Sequence, residues 1–278
     1  IPNGLLISVM LNASELVASP DLGLLITKLF PNSSSDSKVD IVRIACNYNE
    51  LELILPAIDL ISDLGFKVVL NLMQIFSLSE EQIKKAASML NDTKVEVLYF
   101  ADSRGCMNPS DTVSTVSVVK QCWQRSIGIH THDNMGNALA NTLRAHGEGV
   151  SWLDSTVTGM GRGPGNARTE ELAIEIAENL GRPINLIPLM NIINCFFAPL
   201  KSKYGWGTNP YYYLAGKYKI HPSFIQQMLS DVRFDEANIL AVIESLRERD
   251  ASKFNQDFLR LERDLYNKDP AGDWNPSS

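Results

Sequence analysis

The chain has 278 residues, of which 45% are hydrophobic and 21% charged; this is the composition of a globular protein with a substantial core and excludes a disordered or fibrous chain. Twenty-five Lys and Arg against 32 Asp and Glu give a net charge of −7 with no basic block, which argues against nucleic acid as a partner. The four cysteines, Cys46, Cys106, Cys122 and Cys195, form no C-x-x-C pair and read as thiols of a reducing compartment. No stretch combines a basic start with a signal-peptide cleavage site, and none is an unbroken apolar run of about 20 residues. The expected location is the cytoplasm, with no membrane contact.

Along the chain, short β-branched runs alternate with longer amphipathic ones. Strands are predicted at Leu5–Met10, Asp40–Cys46, Lys67–Met73, Val95–Asp102, Ser126–His132 and Trp152–Thr158, a repeat close to one βα unit. The helices between them have recognisable starts: Ser79 with Gln82 forms a capping box, and Asn108 precedes Pro109 at a first helical position. After a helix at Thr169–Leu180 the rhythm stops. Ile184–Leu200, broken by Pro188, Asn191, Asn194 and Pro199, reads as a buried helix or loop. Tyr204–Tyr218 reads as a Gly- and aromatic-rich loop, suited to core packing, an interface anchor or a sugar-contacting wall. Helices are expected over Phe234–Asp250 and Ala251–Asn267, and a frayed tail over Lys268–Ser278. The expected organisation is a (β/α) barrel over residues 1–182, a helical region over 183–267 and a tail over 268–278.

An open doubly wound sheet and a closed (β/α)8 barrel both fit this alternation. The pleat separates them. Val42 and Ile44 fall opposite Arg43; Val68, Leu70 and Leu72 fall opposite Asn71; Ile127 and Ile129 fall opposite Gly128, His130 and His132; and Asp154, Thr156 and Thr158 share a face. Strands sandwiched between helix layers are apolar on both faces, so a recurring small or polar face points to a barrel interior. Eight strands make a barrel and six are predicted. The expectation is therefore a TIM-type barrel without its first two βα units, followed by a helical C-terminal extension.

Three segments carry chemistry. His130-Thr131-His132-Asp133-Asn134 closes a strand, and side chains two apart on a strand project from one face roughly 7 Å apart, so two imidazoles can converge on a metal ion. The structural alternative is two core or surface histidines; His146 and His221 have no such partner and read as structural. Gly159–Asn166 (GMGRGPGN) lacks the G-x-G-x-x-G spacing of a dinucleotide loop, and the helix after it opens with Glu170 and Glu171, which oppose a bound phosphate. It reads as a mobile loop over a barrel mouth, or as a plain tight connection. At Ala101-Asp102-Ser103-Arg104-Gly105, Ser103 can hydrogen-bond a substrate carboxylate and Arg104 can neutralise one, or Arg104 is a solvated cation. Ser103 lies in no G-x-S-x-G elbow, which leaves nucleophilic hydrolysis without support.

HTHDNMGNALANTLRAHGEG followed by LDSTVTGMGRGPGNARTEEL resembles the metal-dependent aldolase and lyase family that contains 4-hydroxy-2-oxovalerate aldolase, hydroxymethylglutaryl-CoA lyase, and the isopropylmalate and homocitrate synthases. VRIACNYNE and ADSRGCMNPSD are most similar to the 4-hydroxy-2-oxovalerate aldolase branch. The resemblance runs from about residue 5 to residue 181. It implies that His130 and His132 bind a divalent metal, that Ser103 contacts substrate and that Asn166 approaches the metal. The family's first strand carries a D-x-T-L-R-D-G-type segment with a metal-binding aspartate and a substrate-orienting arginine. This sequence has none, and the resemblance implies that the segment, and the general base near it, lie upstream of Ile1, the chain being a truncated form.

The implied activity is a divalent-metal lyase that cleaves or forms a C–C bond beside a 2-oxo acid through a pyruvate enolate. His130, Ser103, Arg104 and Arg162 are the expected substrate contacts. Mn²⁺ or Mg²⁺ is the first expectation for the metal and Zn²⁺ the second. The alternatives are a synthase condensing an acyl-CoA with a 2-oxo acid, and a non-catalytic truncated barrel acting as a binding protein. An amidohydrolase also uses H-x-H, but on its first strand, whereas four predicted strands precede this pair. Pairing through the C-terminal helices, with a second copy or a partner enzyme, is expected by analogy.

Overall fold

The β-branched runs pair as six parallel strands: β1 Ser8–Asn12, β2 Ile41–Cys46, β3 Lys67–Leu72, β4 Val95–Asp102, β5 Ser126–Thr131 and β6 Trp152–Leu153. The computed structural model describes residues 2, 4–249, 251 and 254–261. Among these the strands form one sheet in the order β1-β2-β3-β4-β5-β6. A doubly wound sheet reverses its order at a switch point, whereas a barrel adds each strand beside the last. The sequential order is that of a partial barrel.

The described residues fall into two units. The first runs to Ser103 and adds Met107–Thr131 and Ala140–Asp154; the second holds Arg104–Cys106, His132–Leu139 and the described residues from Ser155 onward. In the first unit, Val42, Ile44, Val68, Leu70, Leu98, Phe100, Ile127 and Ile129 point to one side of the sheet and form the main core with helical side chains such as Ile58, Ile61, Leu90 and Val119. Those helices are α1 Ala13–Ala18, α2 Leu22–Leu29, α3 Leu55–Asp63, α4 Glu80–Asn91 and α5 Pro109–Cys122. Ile41, Val69, Val97 and Tyr99 form a smaller cluster on the opposite face, with Trp152 against it. The expected capping boxes are present at Ser79 and at Asn108, where the side-chain oxygens accept the Gln82 N–H at the first and the Ser110 and Asp111 N–H groups at the second. Helix α6, Ala138–Gly147, follows β5.

The second unit is helical: α7 Thr169–Asn179, α8 Ile187–Ile192, a π-turn at Ile193–Phe197, α9 Ala198–Tyr204, α10 Pro210–Lys217, α11 Pro222–Ser230 and α12 Glu236–Arg247. Ile239, Val242, Ile243 and Leu246 recur at helical spacing on α12 and bury against Phe224, Ile225 and Met228 of α11. Among the described residues no helix is long and apolar enough to cross a membrane.

Several elements differ from expectation. The first strand begins at Ser8, where pairing with Ile41 sets in. The sixth ends at Leu153, because beyond Asp154 the backbone bonds turn to another segment: Thr156 N–H donates to the Ala167 carbonyl and Thr169 N–H to the Thr156 carbonyl. Ile184–Leu200 was expected to be buried, and it is not. It is helical from Ile187, and none of its residues within α8, the π-turn or α9 is buried; Ile187 is 70% and Phe196 56% exposed. Pro188 does not break it because it stands in the first turn of α8, where the missing N–H would have had no intrahelical partner, and Pro199 follows directly on the π-turn, where the regular ladder is already interrupted. The Tyr204–Tyr218 segment is a loop only to Asn209, whose side chain accepts the Tyr212 N–H and starts α10. Of Ala251–Asn267, residues 256–261 are helical; the rest of that span past residue 261 and the Lys268–Ser278 tail lie outside the described residues.

Candidate active site

The face of the sheet opposite the main core carries polar side chains. Arg43 on β2 lays its guanidinium over the Tyr99 ring, 4.0 Å from the centroid, and donates through both terminal nitrogens to the Asp154 carboxylate at 3.0 and 2.9 Å. Tyr99 has this room because it faces Gly128 across the β4–β5 ladder, where a Cβ would overlap its ring. His130 Nδ1 lies 2.9 Å from Asp154 Oδ2. An ionised carboxylate only accepts, so Nδ1 donates and the neutral ring's lone pair sits on Nε2. Burial alone would raise the Asp154 carboxyl, but the hydrogen bonds from His130 and Arg43, and their charges, outweigh it and bring it down to about 2. Burial, and then the Asp154 charge, push the Tyr99 hydroxyl up.

At the end of β4, Asp102 Oδ2 accepts the Met107 N–H at 3.0 Å, and Ser103 Oγ accepts the Gln74 N–H at 2.9 Å. Gln74 is left-handed, with φ of 53°, so Ser103 secures an unfavourable turn after β3.

In the second unit, His132 and Asn166 oppose each other in an isolated antiparallel bridge. Asn166 donates its amide to the Met160 carbonyl at 3.1 Å, while its Oδ1 is buried with no hydrogen-bond partner. Native proteins rarely leave such an atom unmatched. Asp133 accepts the Ala138 N–H at 3.0 Å, stands 3.6 Å from Arg168, and has its carboxyl raised mainly by burial. Arg168 also pairs with Glu171. Asp133, Asn166, Arg168, Lys201 and Trp206 line a cavity of about 370 Å³. Thr158 lines it too, held at φ 55° by bonds from its N–H to Glu170 and from the Trp206 indole to its carbonyl; a Thr in that region is backbone strain of the kind that concentrates at functional sites.

The expected residues thus have different surroundings. His130 belongs to an ordered charge network, Ser103 supports a turn, and Arg104 is not a solvated cation: it is 6% exposed and donates to the Lys219 carbonyl at 2.9 Å. Arg162 is exposed beside a separate cavity. His221 accepts the Ser223 N–H and caps α11. Arg43, Tyr99 and Asp154 were not nominated from the sequence, although the lone arginine and aspartate on an otherwise small or apolar strand face were the available signal. Among the described residues no group of three or more His, Cys, Asp or Glu side chains is arranged to hold a metal.

Six sequentially ordered parallel strands with polar side chains on one face define a barrel-type α/β protein. The chain belongs to the HMGL-like family, whose sequence profile matches residues 33–194. It is 30% identical over 175 residues to a 4-hydroxy-2-oxovalerate aldolase from Geobacillus genomosp. 3, an alignment covering 63% of this chain and 52% of that protein. The chain therefore spans about half the length of the curated relatives it matches. Among solved structures it is similar to the N-terminal domain of a provisionally named aldolase from Bacteroides vulgatus, with a TM-score of 0.70, 28% identity, and coverage of 81% of this chain and 73% of that one. The carboxyl transferase domain of Rhizobium etli pyruvate carboxylase matches in fold at a TM-score of 0.68 and 15% identity, over 95% of this chain and 48% of that one.

Proposed function

We propose that this chain carries the metal-binding part of an aldolase or lyase, similar to 4-hydroxy-2-oxovalerate aldolase, that cleaves or forms a C–C bond next to a 2-oxo acid. The observation that carries the reading is the His130–Asp154–Arg43 network. A metal-binding imidazole characteristically gives its other N–H to a carboxylate, which fixes the tautomer and raises its basicity, and His130 does so at 2.9 Å. The H-x-H pair is contiguous along one extended segment, and the unmatched Asn166 Oδ1 adds an oxygen donor. Two imidazoles and an amide oxygen suit a first-row divalent ion, with a carboxylate still to be supplied. His130, His132 and Asn166 would hold it, with Mn²⁺ or Mg²⁺ preferred and Zn²⁺ second. Such a cation supplies Lewis-acid stabilisation of the charge that develops on the keto oxygen as the bond breaks.

The chain's own residues have simpler tasks in this scheme. Asp154 keeps the His130 ring in one orientation and is itself held by Arg43, whose guanidinium rests on the Tyr99 ring. Ser103, Arg104 and Arg162 are the proposed substrate-carboxylate contacts, Arg162 being the exposed one. The aldehyde partner, any pairing with a second copy or partner enzyme, the division at residue 182 and a cytoplasmic location belong to the same proposal. The test is Mn²⁺ binding by electron paramagnetic resonance together with loss of the pyruvate methyl signal in D₂O. Binding weakened at least tenfold in His130→Ala and His132→Ala, with metal-dependent exchange in wild type, supports the reading. Mn²⁺ binding indifferent to both substitutions sinks it.

A further inference from the structure

The loop from Tyr204 to Asn209 and the glycine-rich loop enclose another cavity of the second unit, of about 380 Å³, within the roughly 300–1,000 Å³ of small-molecule sites. The two loops are fixed to each other. Gly207 N–H donates to the Gly163 carbonyl at 2.9 Å, and Gly163, at φ 56°, sits where a Cβ would come within 3.0 Å of the Tyr212 hydroxyl. Trp206 is anchored by its indole N–H on the Thr158 carbonyl at 3.1 Å. Trp206 and Tyr212, both buried, are therefore held in place along the cavity, and exposed Tyr204 completes its aromatic lining.

The charge at this cavity is positive. Arg162 lines it, and its field reaches both Tyr212 and His221, whose imidazole is pushed down to about 4 by burial first and then by the Arg162 and Arg104 charges. Among the described residues, nothing pairs with or hydrogen-bonds the Arg162 guanidinium. Lys203, outside the lining itself, stands 5.0 Å from the Tyr204 ring. Among the described residues no carboxylate lines the cavity, whereas Gln226 and Ser230 bring amide and hydroxyl groups to it.

We propose that this cavity binds a phosphorylated sugar. An unpaired guanidinium takes two phosphate oxygens in a bidentate fork, aromatic faces accept the C–H face of a sugar ring, and amide and hydroxyl side chains meet its hydroxyls. An apolar ligand would leave Arg162 unmatched, and a bare anion would leave the aromatic wall unused. This site shares Arg162 with the proposed substrate-carboxylate contacts but none of the proposed metal ligands, so the two readings are separated by testing this one without metal.

The experiment is a tryptophan-fluorescence titration in EDTA, so that its outcome is separate from that of the metal reading. Glucose 6-phosphate and uridine monophosphate are the probes, with glucose and inorganic phosphate alongside. Saturable binding of either phosphorylated probe is expected, at least tenfold tighter than glucose or phosphate, weakened at least tenfold by Arg162→Gln and severalfold by Tyr204→Ser. The tighter of the two probes tells a free sugar phosphate from a nucleotide. Both substitutions are at exposed positions, so the variants retain the fold. Phosphate binding as tightly as the sugar phosphates, no saturable binding, or binding indifferent to Arg162→Gln would overturn the proposal.

Discussion

Replacing Asp154 with Asn isolates the interaction that orders the face of the sheet. The substitution keeps the shape and removes the charge that Arg43 meets at 3.0 and 2.9 Å and His130 at 2.9 Å. Removing one partner of a fully buried pair costs about 3–5 kcal/mol, because the other charge stays buried and uncompensated. The Arg43 and Asp154 side chains are 15% and 21% exposed, which lets water recover part of that, so about 2–4 kcal/mol is expected. Urea unfolding at pH 7 measures it. Arg43→Met in the Asp154→Asn background removes the stranded charge, so the double variant should be more stable than the sum of the single losses by at least about 1 kcal/mol. An Asp154→Asn variant within about 0.5 kcal/mol of wild type, or strictly additive losses, would refute the reasoning.

Gly128→Ala forces a methyl into the Tyr99 ring and should lower stability by about 1–3 kcal/mol; the loss, read as Tm, should shrink when Tyr99 is replaced by Leu. His221 has its folded pKa depressed to about 4 from an unfolded value near 6.5, so the unfolded chain binds the extra proton and stability falls as pH drops from about 6.5 to about 4. Solvent access limits the effect to roughly 1–2 kcal/mol, and His221→Asn, which keeps a capping side chain without the titration, should flatten that part of the pH–stability curve. Cys46 is buried, with its thiol pushed up to about 12 by burial and by Glu50, whereas Cys195 is exposed. Iodoacetamide at pH 8 should label Cys195 in the native protein and Cys46 only after unfolding, as peptide mass spectrometry would read out.

Much of the sheet was legible because strand pleat is a local property. The alternation of Val42 and Ile44 with Arg43, and of Ile127 and Ile129 with Gly128 and His130, assigned faces correctly before any strand was paired. Caps at Ser79 and Asn108 were legible for the same reason, since a cap needs only residues three apart. The end of β6 was not, because Thr156 can look like strand yet bond to Ala167, eleven residues on and past a glycine-rich loop. The exposure of Ile184–Leu200 was equally hidden: apolarity says what a helix can bury, and only neighbouring elements say what it does bury.

The candidate site divides in the same way. Sequence determined the H-x-H pair, its place at a strand end and the glycine-rich loop after the last strand, because each depends on spacing along the chain. Only the tertiary structure decided that His130 shares a carboxylate with Arg43, since Asp154 lies 111 residues from Arg43. It alone decided that Arg104 is buried against Lys219, that Ser103 stabilises a turn, and that Arg162 faces an aromatic wall. A side chain's chemistry is written in its residue type; its pKa, its partner and its accessibility come from atoms that folding brings to it.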